Sequence, residues 1–347
     1  MDRFESVVNY SVEQAVNLLA IDSPTGFTKN AAAYAFAEYT RLGFQPVMTN
    51  KGGVLVCLNP QAGTDNGLLL SAHVDTLGGM VCAIKGNGRL TITNVGGLSG
   101  YNTEAENCRI VTRLGKTYTG TLQLVNASLH VNKDYRTTSR DWSNMEIVID
   151  EEVESKADVE ALGIMNGDFV CFDPKTVVTP SGYIKSRFLD DKLSVAILLG
   201  MAKDVAEGAC TPTRPVWHHI TVFEEVGHGG AASCPAGITE AIAVDMGCVG
   251  AGLECDERQV SICCKDGGGP YHYDVTTGLV NAARKAGADF AVDYYPFYSS
   301  DMAALLGSGA DIRHGLIGPG VYASHGYERS HKKGVLNTLK LLEAYVG

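Results

Sequence analysis

The feature that most constrains this chain is a change of texture and a return: helices alternate with short apolar strands at both ends, and about a hundred residues of turn-bounded β-branched runs lie between. Near the N-terminus, Phe4, Val8, Val12, Val16 and Leu19 recur at helical spacing, and Asp22-Ser23-Pro24-Thr25-Gly26 stops that helix. A second helix is expected over about 30–42, ending at Gly43, followed by strands at 54–58 and 68–72. The second strand runs straight into His73-Val74-Asp75. From about 78 to 182, runs such as Leu90-Thr91-Ile92-Thr93, Leu122-Gln123-Leu124-Val125 and Ile147-Val148-Ile149 stand between Gly, Asn and Asp turns, with one short helix over 156–162. Then the alternation resumes: a helix over 191–207, strands at 216–223 and 241–245, and helices near 273–286 and 335–345. The pattern predicts an α/β fold, a largely parallel open sheet sandwiched by helices, carrying an inserted small β-rich domain. Residues 1–77 and 183–347 make the discontinuous main domain and 78–182 the insert.

At 347 residues the chain is long enough for two domains, and 45% hydrophobic with 19% charged residues is ordinary for a folded protein. Twenty-eight basic against 39 acidic residues give a net charge of −11, so no basic stripe exists to hold a phosphate backbone, and nucleic acid is excluded as a partner. An acidic surface favours cationic ligands such as peptide amino termini. The opening MDRFESVVNY lacks the apolar core of a secretory signal. The longest apolar run, around 193–202, is about half the length a bilayer needs, so no membrane partner is expected. Ten scattered cysteines without CxxC spacing read as reduced thiols, and the localisation expected is cytoplasmic.

Four acid- or histidine-bearing groups fall where strands and loops end: His73-Val74-Asp75, Asp190-Asp191, Glu224-Glu225 and Asp245. Open α/β sheets bind ligands beyond the carboxyl ends of their strands, which brings at least three of the four together. A fifth candidate, His325, lies in the late loop Tyr322-Ala323-Ser324-His325-Gly326. Imidazole with several carboxylates suits zinc, cobalt or manganese. Each group alone has a plainer explanation. Asp190-Asp191 could cap a helix, Glu224-Glu225 could be solvated, and His73 with Asp75 could be a hydrogen-bonded pair.

In combination and in order, these stretches resemble the TET family of co-catalytic metallo-aminopeptidases, the glutamyl and deblocking aminopeptidase group. The matching runs are Ser23-Pro24-Thr25-Gly26; Ser71-Ala72-His73-Val74-Asp75; Leu162-Gly163-Ile164 with Gly167-Asp168; Leu189-Asp190-Asp191-Lys192; Phe223-Glu224-Glu225-Val226-Gly227; and Val244-Asp245-Met246-Gly247. The resemblance implies two divalent metal ions per subunit, zinc foremost, with cobalt and manganese as alternatives. Asp190 would bridge them, His73 and Asp245 would complete one shell, and Glu225 with His325 the other. Glu224 would be the general base and Asp75 would orient His73. Paired cations polarise a scissile carbonyl and activate water, whose proton needs a nearby carboxylate. The implied substrates are peptides, cleaved at the N-terminal residue. Also implied are a cis peptide between Asp190 and Asp191 and a homo-oligomer, a tetrahedral dodecamer built through the insert. Strand edges in that insert would offer a partner somewhere to pair.

Two departures stand out. The family's last histidine is usually followed by Ser-Pro and an acid, whereas this chain reads His325-Gly326-Tyr327-Glu328, so His331 is a rival ligand. His228 follows Glu-Glu-Val-Gly where an apolar or basic residue is commoner, which leaves substrate preference open. His218 and His219 lie within a strand, on opposite sides, and read as structural. His130, His272 and His314 read as non-catalytic. A dinuclear carboxypeptidase or deacylase is the nearest rival, but there the first histidine and bridging aspartate lie close together, whereas His73 and Asp190 are 117 residues apart with the insert between. A glycosidase needs carboxyls at least about 5 Å apart across its bond, which adjacent residues rarely achieve. A metal-stabilised scaffold without catalysis would be expected to have lost Glu224 or a ligand.

Overall fold

The structure is a computed structural model that describes residues 3–347. The chain divides into two compact units, one of residues up to 75 together with 175–347, the other of residues 76–174.

The larger unit is built on a mixed sheet. Its centre is four parallel neighbours in the order Val216–Thr221, Gly67–His73, Ile238–Val244 and Arg313–Tyr322. The strands flanking this centre run otherwise: Val54–Cys57 pairs antiparallel with Val216–Thr221, and Val260–Asp266 pairs antiparallel with Arg313–Tyr322. The sheet is therefore parallel at its heart and mixed overall; Glu328–His331, reached by the turn at 323–327, also runs antiparallel to the strand it has just left. All seven residues of Gly67–His73 are buried, as expected of a strand covered on both faces.

Helix Leu189–Ala206 is buried nearly all round: Leu193, Val195, Ala196, Ile197, Leu198, Leu199, Met201 and Ala202 are fully enclosed. Burying each such Leu or Ile contributes about 1.5–3 kcal/mol, which fixes the helix as the interior element on which others rest. Helix Arg3–Leu19 packs beside it. Its buried face is Val7, Val8, Ser11, Val12, Ala15, Leu18 and Leu19; Val16, expected on that face, is instead exposed. A spacing of four residues drifts off a 3.6-residue turn, so by the fourth repeat Val16 has left the stripe that Ala15 and Leu19 hold.

The smaller unit contains a closed barrel whose strands run in the order Gly78–Ile84, Leu90–Val95, Met145–Ile149, Thr117–Leu124, Asn107–Val111 and Phe169–Phe172. Leu90, Ile92, Ile110, Leu122, Leu124, Ile147 and Val170 are fully buried within it. Each of these strands has a neighbour on both sides, although Leu90–Val95 meets Met145–Ile149 only at Leu90 and Ile147. The short strand Val177–Val178 pairs with Tyr183–Ser186, which pairs in turn with Glu328–His331, within the larger unit, so the contact boundary falls at 174 instead of 182. No helix among the described residues is long and apolar enough to cross a membrane.

Candidate functional site

The central parallel strands carry their chemistry at one end. His73 is the last residue of Gly67–His73, Asp245 directly follows Ile238–Val244, and Glu224-Glu225 begin a 3₁₀ turn three residues beyond Thr221. Asp190 comes from a different place, the start of helix Leu189–Ala206, where the Asp190–Asp191 peptide bond is cis. Three of the turns that present these groups contain a non-glycine residue in the left-handed region: Phe188 (φ 68°), Phe223 (φ 73°) and His325 (φ 61°). Such conformations persist where surrounding contacts impose them, and here all three border one cluster.

Within that cluster, ligand atoms of His73, Asp190 and Asp245 lie within 4.8 Å of one another, as do those of Asp190, Glu225 and His325. Asp190 belongs to both groups. One of its oxygens is 3.1 Å from His73 Nε2 and the other 3.6 Å from His325 Nε2, which in turn lies 3.8 Å from Glu225. Glu224 faces the same space, 3.7 Å from His73 Nε2. The remaining expected residue, Asp75, contacts His73 chiefly through its backbone: His73 Nδ1 lies 2.9 Å from the Asp75 carbonyl oxygen and 3.6 Å from its carboxylate. That carboxylate is instead held by the Thr25 hydroxyl at 2.7 Å and accepts the backbone N–H groups of Glu224 and Glu225 at 3.2 and 3.3 Å. Asp75 thus fixes both the histidine and the two-glutamate turn.

Electrostatically the cluster is starved of positive charge. Burial raises Glu225 well above the usual carboxylate range, with Asp190 adding repulsion; Glu224 is raised in the same way, Asp245 contributing. Asp245 is pushed up to about 7 by burial and by Asp190. Burial also disfavours charge on His73, but its hydrogen bond to Asp190 and the fields of Glu224, Asp245 and Asp75 outweigh that and hold its pKa well above 6.5. Buried carboxylates at this density need a counter-cation. Three carboxylates and two imidazoles, split into two groups that share one aspartate, form a donor set that fits divalent ions of the zinc, cobalt or manganese kind.

Two residues of this neighbourhood had been given no role from sequence. Glu328 is buried and accepts from the backbone N–H of Asp190 and from that of His325, both at 3.1 Å; burial and Asp190 raise its pKa to about 8. Its signal was an acid three residues after His325. Asp301 accepts from Ser71 at 3.1 Å, from Thr221, and from the Gly230 N–H at 2.6 Å, tying the strand ends to the loop after Glu225. The rival His331 caps the last helix: its Nδ1 accepts from the Lys333 N–H and its Nε2 faces the Ser181 carbonyl, so neither nitrogen is turned to the cluster. His228 stacks on Phe223 at 5.0 Å between ring centroids. His218 and His219 are buried within their strand.

A family model described as M42 glutamyl aminopeptidase matches residues 52–341. YhfE of Bacillus subtilis (strain 168), named as a candidate aminopeptidase, is 44% identical over 339 residues, 98% of each chain. A glutamyl aminopeptidase of Lactococcus lactis subsp. cremoris (strain MG1363) is 25% identical over 217 residues, 62% of this chain and 59% of that one. Among solved structures, the TET1 peptidase of Pyrococcus horikoshii, described as assembling into a tetrahedron or a large octahedral shell, superposes with a TM-score of 0.85 at 21% identity, covering 97% of this chain and 99% of that one. With nearly its whole length shared at 44% identity and the family model spanning most of it, this chain belongs to the M42 glutamyl aminopeptidase family.

Proposed function

We propose that the protein is a dinuclear metallo-aminopeptidase that removes N-terminal residues from peptides. The observation that carries this reading is the sharing of Asp190 between two potential ligand groups, with Glu224 beside them and outside both. His73, Asp190 and Asp245 would hold one ion, and Asp190, Glu225 and His325 the other. When bound, the ions supply electrophilic polarisation of the scissile carbonyl and acidify water.

The chain's own residues supply the rest. Glu224 takes the proton from the attacking water at its carboxylate and delivers it to the departing amine, a role suited to a carboxyl whose pKa is raised by burial. Asp75, by holding the N–H groups of both glutamates, keeps Glu224 turned into the cavity while Glu225 faces His325. Glu328 positions Asp190 and His325 through their backbone amides. The substrate's free amino group would bind beside one of the two ion sites, which would confine cleavage to the first residue. We also propose a homo-oligomer, with the tetrahedral dodecamer as the form suggested by the structural relatives.

The test is hydrolysis of an amino-acid arylamide, and of its N-acetylated counterpart, by chelator-treated and metal-reconstituted protein. Metal-restored cleavage of the free-amine substrate alone is expected. Chelator-insensitive cleavage, or equal cleavage of the acetylated substrate, would overturn the reading.

A further inference from the structure

Beside the carboxylate cluster lies a cavity of about 440 Å3, and Tyr298 lines it together with Asp190, Glu224 and Asp245. The body of Tyr298 is firmly held. Its ring meets the Tyr295 ring edge-on, 5.2 Å between centroids, and packs against the buried apolar residues of the larger unit. Its carbonyl oxygen accepts the Gly267 N–H at 2.9 Å. The hydroxyl at the tip is placed differently. Its oxygen is shut off from the surface and has no hydrogen-bond partner, although it lies close enough to Asp245, Asp190 and Glu224 to feel their fields.

We propose that Tyr298 is a further catalytic residue, whose hydroxyl donates a hydrogen bond to the oxygen of the scissile carbonyl as negative charge develops there. The proposal rests on the aminopeptidase reading above.

A buried hydroxyl without an acceptor is disfavoured, and folded chains seldom keep one unless something else supplies its partner. The reaction supplies one. As water adds to the carbonyl carbon, giving its proton to Glu224, the π pair of the C=O bond moves onto the oxygen. When the C–N bond breaks, that pair returns and the amine leaves with the proton delivered by Glu224. Negative charge on the oxygen is therefore greatest at the tetrahedral stage, and a donor already fixed in place stabilises it without reorganising. A phenol is neutral at physiological pH, so Tyr298 keeps its proton throughout and contributes only the hydrogen bond. The ions, when bound, share in neutralising the same charge, and Tyr298 adds to them. Among the described side chains lining the cavity, the other donors are engaged or open to solvent. The Ser300 hydroxyl pairs with Tyr271 at 2.9 Å and accepts the Met302 N–H at 3.3 Å. His325 belongs to a potential ligand group, and Ser299 is exposed.

The experiment compares the natural sequence with Tyr298→Phe on metal-reconstituted protein. The phenylalanine removes one oxygen that has no partner in the fold, so thermal stability should not fall. Three quantities are measured: metal content per subunit, kcat and KM for the amino-acid p-nitroanilide that the natural protein cleaves fastest, and inhibition by the phosphonic acid analogue of the same amino acid. That analogue is tetrahedral and carries negative oxygen where the reaction develops it. Tyr298→Phe is expected to keep its metal and to lose roughly 10²–10³-fold in kcat, the loss that accompanies removal of one such donor. KM should stay within about three-fold, because the interaction belongs to the transition state. Affinity for the phosphonate should weaken by about ten-fold or more. Loss of metal from Tyr298→Phe would overturn the proposal and leave the hydroxyl as a support for Asp245. A kcat within about three-fold of the natural value, or undiminished affinity for the phosphonate, would overturn it as well. Hydrolysis of no arylamide by the natural protein would instead defeat the aminopeptidase reading, and the proposal with it.

Discussion

Glu328 joins two residues that arrive from distant parts of the chain, and it does so through their backbone amides: Asp190 at the start of one helix and His325 in a late loop. Leaving a buried N–H without an acceptor costs about 1–3 kcal/mol, so Glu328→Ala should lower the unfolding free energy by that order. It should also weaken metal uptake, because His325 and Asp190 lose their common support. Glu328→Gln keeps an acceptor oxygen and should recover part of both. Metal titration of the two variants checks this, and uptake by Glu328→Ala equal to that of the natural protein would contradict it. No motif in the sequence announces this role, because the side chain recognises N–H groups that every residue carries. That His73, Asp190, Glu225, Asp245 and His325 come together in two potential ligand groups, with Glu224 beside them, was legible because these acids and histidines fall at element ends and in a late loop. The carboxylate of Asp75 was assigned to His73, yet its contacts run mainly to the glutamate turn and to Thr25, a distinction that only folded geometry supplies.

At the scale of elements, strand Val216–Thr221 makes an acid-sensitive core. Burial lowers His218 to about 3 and His219 to about 4, with Lys51 adding to the latter. Both folded values lie below the ordinary 6.5, so the unfolded chain binds more protons as the pH falls beneath that value. Stability is therefore fully present above pH 6.5 and is lost progressively on acidification, by about 2 kcal/mol per histidine at pH 5. Urea unfolding at pH 7.5 and pH 5 should show this, and His218→Asn should flatten the dependence whatever it does to absolute stability; an undiminished slope would contradict it. A second element-level device is Gly318, where an added Cβ would stand 1.6 Å from the Asp245 backbone oxygen. Gly318→Ala must displace the strand end that carries Asp245, and a loss of about 1–3 kcal/mol or more is expected, together with impaired activity. Unchanged thermal stability and activity would refute that. Helices and strands in this unit were readable from periodicity. The antiparallel flanks of the sheet were not, since strand direction is set by how the chain connects one strand to the next and not by the pattern within a strand.

At the scale of the molecule, the change of texture foretold a β-rich stretch but not its closure. Closure depends on pairings such as Asn107–Val111 with Phe169–Phe172, whose separation in sequence leaves no local mark. Native mass measurement at dilute protein should find the proposed homo-oligomer, and a monomer would remove that proposal. In the proposed mechanism two adjacent glutamates divide the labour, Glu224 moving protons and Glu225 holding metal. The most direct measurement is metal content per subunit alongside arylamide turnover for Glu224→Gln and Glu225→Gln. Glu224→Gln is expected to retain its metal and to lose roughly 10²–10⁴-fold in kcat, while Glu225→Gln loses metal. Loss of metal from Glu224→Gln with full retention by Glu225→Gln would reverse the roles, and undiminished activity in both would rule out a metallo-aminopeptidase built on these residues.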